Sequence, residues 1–283
     1  MELEDVGGDG TAGSHWKRRS AKDELMAGSS GAGIYSAITI AAMEDLGYYK
    51  GNYSMAEPMM YGRNAGCGLV TDKCVVNGVS QIPEMFCASA STDMVCTSDR
   101  LGIGYCTVST STSALPPYFQ YFSNPTLGGN DAQMDYCPYV QAYSDTNCTD
   151  ASGELIGIMY GVMSRCLDTP GGIGWGRQSR AQYGLCAEVQ CGDSTYGVKV
   201  SWETEFTPCT PGASLSLPSL SQFFSDGTVT CPSYESVCAI RVDSDEYEKY
   251  RRLMWGDSAA RASTETAVAL AVAAAVLALL VQC

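Results

Sequence analysis

Gly13-Ser14-His15 is followed by Asp23-Glu24-Leu25-Met26 and then by the small-residue run Ala27-Gly28-Ser29-Ser30-Gly31. His15 is the sole histidine of the 283 residues. A lone imidazole is ordinarily a satisfied structural group, so spacing alone assigns it no ligand or catalytic role. Its reading depends on what surrounds it. Residues 1–14, with Glu2, Glu4, Asp5, Asp9 and four glycines, read as a flexible connection. Residues 16–24 are rich in charge, and Leu25-Met26 then turns inward.

Ser29 or Ser30 is placed to cap a helix over 31–46, where Ile34, Ile38, Ala41, Ala42 and Leu46 recur at three- and four-residue steps. Gly47 is a natural C-terminal stop. This helix is expected to bury one face and to back the Asp23–Met26 turn. From Cys67 onward, short apolar runs alternate with glycine, proline, asparagine and serine, a texture of short strands and loops. Gly68-Leu69-Val70, residues 115–122, residues 197–202 and Thr228-Val229-Thr230 are such runs. The expectation is antiparallel sheet with much irregular backbone, held by cross-links that compensate for a thin core. The aromatic-proline run 115–122 reads as packing rather than as a ligand platform.

A formal charge of −14 and a pI near 4.4 argue against binding a phosphate backbone, and Lys17-Arg18-Arg19 is too small a basic cluster to provide a face for one. No nucleic acid partner is expected. Fourteen cysteines without a C-x-x-C pair speak for disulfides rather than zinc ribbons or dithiol redox chemistry. Asn52-Tyr53-Ser54 and Asn147-Cys148-Thr149 are glycosylation sequons, whereas proline blocks Asn124-Pro125-Thr126. The acidic, glycine-rich opening is no export signal. An oxidising-compartment composition without such a signal leaves three accounts open: a missing N-terminal part, a misplaced start codon or a degenerate gene copy.

Residues 241–263 are crowded with charge and read as a solvated stalk. Ala267 to Val281 is an uninterrupted apolar run of fifteen residues, short of the roughly 20 that span a bilayer. Small residues at Gly256 or Ser258, a polar spacer and this apolar end fit a removable signal for glycosylphosphatidylinositol attachment. A short tail anchor is the alternative.

His15 and the Asp23-Glu24-Leu25-Met26 turn resemble the third zinc ligand and the Met-turn of the leishmanolysin family, metzincin zinc peptidases of the trypanosomatid surface. The likeness continues through 33–39 and 43–49, Asn64-Ala65-Gly66-Cys67, Pro83-Glu84-Met85-Phe86-Cys87, Leu115-Pro116-Pro117-Tyr118, Met134-Asp135-Tyr136-Cys137-Pro138, Tyr183-Gly184-Leu185-Cys186 and Cys209-Thr210-Pro211-Gly212. It spans about residues 1–240. The HExxH helix that would supply two ligands and the general base does not occur in the sequence.

The resemblance implies an α+β chain. Residues 1–72 would be the C-terminal half of a metzincin-like catalytic domain and 73–240 a disulfide-rich, mainly antiparallel β domain, followed by the stalk 241–263 and the anchor signal 264–283. It implies one Zn2+ held by His15 together with absent upstream ligands, and Met26 beneath the metal as an apolar floor. Asp23 and Glu24 then shape the turn, since the family's base belongs to HExxH. The implied pairs are Cys74–Cys137, Cys87–Cys106, Cys96–Cys166, Cys148–Cys186, Cys191–Cys238 and Cys209–Cys231. Cys67 is left unpaired because its family partner lies upstream of Met1. The implied function is a zinc metalloendopeptidase at the cell surface, lipid-anchored and associated with adhesion. Its partners would be protein or peptide substrates and host surface or matrix proteins. This chain alone would lack activity, one imidazole being too few to hold a hydrolytic zinc. The competing reading is a non-catalytic surface adhesion or decoy module, or a gene remnant.

Overall fold

A computed structural model describes residues 2–29, 31–91, 93–150, 157–173, 182–201, 203–222 and 224–238. The chain is α+β, with short helices and mostly antiparallel sheets. Its described residues form two packing units, one of residues 1–89 with 107–139, the other of 90–106 with 140–238. In the first unit, residues 73–89 and 107–139 share a core with Tyr61 and Leu69. That core holds Val75, Met85, Phe86, Tyr121, Met134, Cys137 and Tyr139. The Cys74–Cys137 bridge crosses it.

In the first unit the hairpin Val75–Val76/Val79–Ser80 turns at Asn77 and Gly78, both at positive φ (51° and 77°). Asparagine and glycine adopt that conformation most readily, and this two-residue turn matches strand twist. Gly68-Leu69-Val70 departs from its expected strand. Gly68–Thr71 is a single helical turn, with Cys67 O accepting from Val70 N at 3.0 Å and Thr71 N at 3.1 Å. An apolar run this short carries no decisive period. Residues 115–122 pack: Leu115 and Tyr121 are buried and the Phe119 ring lies 5.7 Å from that of Tyr136. Consecutive prolines turn the middle of the run into a 3-10 turn, Pro117–Phe119, instead of a strand.

The second unit is built on a six-stranded antiparallel sheet. From edge to edge it runs Thr207–Cys209, Tyr196–Lys199, Gln182–Cys191, Ser164–Ile173, Thr228–Thr230 and Ser214–Ser216. Tyr196 and Val198 alternate inward along their strand, as period two requires. They join Leu167, Leu185, Val189, Leu217 and Val229 in one continuous core. A three-stranded sheet, Val95–Cys96, Gly102–Cys106 and Val140–Asn147, is stapled to this ribbon by Cys96–Cys166 and Cys148–Cys186. Those bridges span 70 and 38 residues of sequence, each worth about 4 kcal/mol in lost unfolded-chain entropy. Cys191–Cys238 and Cys209–Cys231 secure the other end.

Gly184 exists because of one staple. A Cβ there would lie 2.9 Å from Cys166 Sγ and 3.1 Å from Cys96 Sγ. Gly184→Val is expected to cost about 2 kcal/mol by overpacking. An unshifted urea midpoint would remove this explanation.

Candidate functional site: the turn at Asp23–Met26

Residues 31–36 do not start the helix. Ile34 N donates to Asp23 O (2.9 Å) and Leu25 N to Ile34 O (2.8 Å), so this stretch is bridged to the turn in an extended path. Gly33 enables it at φ 71°. Gly31 allows the close approach that precedes it, since a Cβ there would sit 2.3 Å from Lys22 O. Ser36, and not Ser29 or Ser30, caps the helix: its Oγ accepts from Ile38 N at 3.2 Å. The helix is Ala37–Asp45, and Gly47 closes it at φ 78°. It is shorter than the expected 31–46 because backbone bonding to the turn claims the residues its first turns would use.

Glu24 organises the turn from within. Its carboxylate is buried, with Oε1 accepting from Ser36 N (3.3 Å), Ser36 Oγ (3.1 Å) and Thr39 Oγ1 (2.5 Å). Oε2 accepts from Met26 N (2.5 Å). A buried carboxylate is tolerable when charge-assisted bonds satisfy it, and four donors converge here. Trp16 Nε1 donates to Thr39 Oγ1 (2.9 Å), which extends the network to the residue after His15. Trp16 N also donates to Met26 O (2.8 Å), and Trp16 pairs with Ala27 in a parallel bridge. His15 therefore flanks a backbone segment fixed to the turn that carries Met26.

The segment before it is fixed too, against its reading as a flexible connection. Leu3 bridges Trp16, Glu4 N donates to His15 O (2.8 Å) and Gly13 N donates to Glu4 O (2.7 Å). Glu4 is buried and accepts from Asp5 N, Val6 N and Arg18 N. Composition pointed to solvent here, but the carboxylate is satisfied by backbone donors.

The basic run is consumed internally. Lys17 pairs with Asp5 and with Asp135 (2.7 Å), Arg18 with Asp131, and Arg19 donates to Leu69 O and Asp72 O. Burial pulls the Lys17 ammonium down, but bonds to Asp135 and Asp5 outweigh it and raise its pKa. The Lys17 bond holds Asp5 below the usual carboxylate range. Asp135 is raised, because burial acts on it more strongly than its bond with Lys17, which is shared among several carboxylates. Arg18 and Asp131 lie 113 positions apart, so a linear reading does not bring them together.

His15 is partly buried, with Nδ1 3.0 Å from Ser14 Oγ. Among the described residues no three His, Cys, Asp or Glu side chains gather into a metal-binding group. The described donor set does not fit a complete zinc site.

The bridges Cys74–Cys137, Cys96–Cys166, Cys148–Cys186, Cys191–Cys238 and Cys209–Cys231 join cysteines that the resemblance paired. Cys87 and Cys106 are disulfide-bonded as well. So is Cys67, which corrects the expectation that it stands unpaired. That expectation assumed an upstream partner from the family pattern. Asn52 and Asn147 are exposed, their Oδ1 atoms accepting from Ser54 Oγ (2.7 Å) and Thr149 Oγ1 (2.9 Å). The stalk, Gly256, Ser258 and the tail 264–283 lie outside the described residues. Among the described residues no helix is long and apolar enough to cross a membrane.

Comparison with known proteins adds to this geometry. The Peptidase M8, leishmanolysin, family model matches residues 1–244. A leishmanolysin homolog of Crithidia fasciculata is 44% identical over 86% of this chain and 39% of its own length. Leishmanolysin of Leishmania major is 43% identical over 84% of the chain and 41% of its own length. That of Leishmania tropica is 37% identical over 99% and 46%. The chain thus spans less than half the length of these curated relatives.

Proposed function

The chain belongs to the leishmanolysin family of peptidases, and from that premise we propose that residues 1–283 are the part of a zinc metalloendopeptidase that carries one metal ligand, His15, and the Met-turn at Met26. The observation that carries this reading is the Trp16–Met26 backbone bond with the Trp16–Ala27 bridge, which ties the residue after His15 to the turn. Glu24 stiffens that turn and is committed to four donors, so it is no free base.

On its own the chain is catalytically incompetent. A hydrolytic zinc needs three protein ligands, an open position for water and a base to take its proton. His15 supplies one imidazole. A longer product carrying HExxH completes the site and cleaves protein or peptide substrates. Purified 1–283 supplied with zinc is expected to leave casein intact, whereas the extended product cleaves it and loses at least ~100-fold of that activity on His15→Ala. Zinc-dependent cleavage by 1–283, abolished by His15→Ala, would overturn the incompetence.

The product acts at the outer face of the plasma membrane, glycosylated at Asn52 and Asn147. It is held there by a glycosylphosphatidylinositol at Gly256 or Ser258 and meets host surface or matrix proteins. Release by phosphatidylinositol-specific phospholipase supports the anchor, and retention of 264–283 in mature protein contradicts it. The second reading is a non-catalytic adhesion or decoy module. An upstream reading frame containing HExxH decides for the peptidase, and a stop codon there with a detectable product decides for the module.

A further inference from the structure

Among the described residues twelve large apolar side chains are exposed, and all twelve belong to the first unit. The described residues of the disulfide-stapled second unit include none of them. Scattered exposed apolar residues are normal, but this segregation is not scatter. Seven of the twelve fall within residues 25–55, a stretch gathered around the helix Ala37–Asp45. Leu25 is bonded to Ile34, Tyr35 to Glu57, and Glu44 accepts from Tyr53 OH at 2.8 Å.

The helix itself is incompletely covered. It carries Ile38, Ile40, Ala41, Ala42 and Met43 yet buries only Thr39 and Ile40. Met43 is 41% exposed, and beyond its C-terminus Leu46, Tyr48 and Tyr49 are 59%, 85% and 64% exposed. Exposed apolar side chains gathered in one stretch mark an interaction site. Residues 34–49 contain no lysine or arginine, whereas a helix that lies on a membrane surface is rich in both on its polar face. The face therefore suits apolar protein rather than lipid headgroups. More than half the length of each compared relative lies outside the stretch that matches this chain.

We propose that the face formed by Met43, Leu46, Tyr48 and Tyr49 is the docking surface for the polypeptide that these relatives carry outside the matched stretch, whether it is supplied on the same chain or on a separate one. The identity of the partner rests on the family reading above, and the test reads binding rather than cleavage. A complex that forms but does not cleave would overturn the catalytic proposal alone.

Two measurements test the docking. Residues 1–283 are co-secreted with the outside portion of the Crithidia fasciculata relative, and a 1:1 complex is expected on gel filtration. Leu46→Glu with Tyr48→Glu is expected to weaken it at least tenfold, as loss of buried anchors does, while leaving the unfolding midpoint of 1–283 unchanged. Independently, joining that portion to residue 1 is expected to slow amide exchange in peptide 43–49 at least tenfold relative to 1–283 alone, which answers the question even if the separate portion does not fold. Unchanged exchange in the fusion, or a complex indifferent to the double substitution, overturns the proposal. So does a homodimer of 1–283 that protects 43–49, or faster exchange there on deletion of 264–283, because either assigns the face to another occupant.

Discussion

Glu24→Ala is expected to lower the unfolding free energy by about 4 kcal/mol. The substitution strands Met26 N, Ser36 N, Ser36 Oγ and Thr39 Oγ1, all of which converge on one buried carboxylate. Each buried donor left without a partner costs about 1–3 kcal/mol, reduced where water enters the new space. Glu24→Gln keeps the volume but turns an amide N–H2 toward donors, so a loss of about 2 kcal/mol is expected. The urea midpoint reads both effects. Limited proteolysis should show cleavage gained within 13–36 before the rest of the first unit is lost. A loss under about 1 kcal/mol for the alanine variant would mean that the backbone bridges Trp16–Ala27 and Glu24–Ile34 hold the turn without the carboxylate.

Gly104→Ala is expected to cost at least about 4 kcal/mol, for a different reason. The added Cβ would sit 2.0 Å from Gln141 O, 2.4 Å from Gln141 C and 2.8 Å from Ala142 Cα. These are backbone atoms of the paired strand, so no rotamer change relieves the clash. The strand Gly102–Cys106 must separate from Val140–Asn147, giving up the ladder Gly104↔Ala142, Tyr105↔Gln141 and Cys106↔Val140. Amide exchange across Gly102–Cys106 should accelerate together with the fall in urea midpoint. Retained protection there would show that the sheet absorbs the methyl by shifting register.

The two variants probe what the sequence displayed unequally. The turn at Asp23–Met26 was legible because it is a local motif, and the strands at Tyr196–Lys199 and Thr228–Thr230 were legible as short apolar runs between breakers. The start of the helix was not. Ser29, Ser30 and Ser36 are equally good caps in sequence, and the choice fell to Ser36 through the Asp23–Ile34 and Leu25–Ile34 bonds, which no helical period encodes. The internal bonding of Glu4 and Lys17 was hidden for a related reason. Glu4 accepts from backbone donors, invisible in composition, and Lys17 bonds Asp135, more than a hundred positions away, as well as the nearby Asp5. The core that residues 73–89 and 107–139 share with Tyr61 and Leu69, crossed by the Cys74–Cys137 bridge, joins segments far apart in sequence and was likewise hidden.

Cys166 and Cys186 face each other directly across their strands, yet each is bonded elsewhere, to Cys96 and Cys148. Opposed strand positions bring Cα atoms to about 4.5–5.5 Å, within reach of a disulfide. Four cysteines admit three connectivities. The isomer joining Cys166 to Cys186 and Cys96 to Cys148 consumes the same four thiols as the native one while releasing one sheet from the other. Should that pair form during oxidation, thiol–disulfide exchange is the route back to the native connectivity. Material can be fully oxidised, silent to a thiol reagent and still misassembled, so connectivity mapping rather than thiol counting is the measure of a correctly matured preparation.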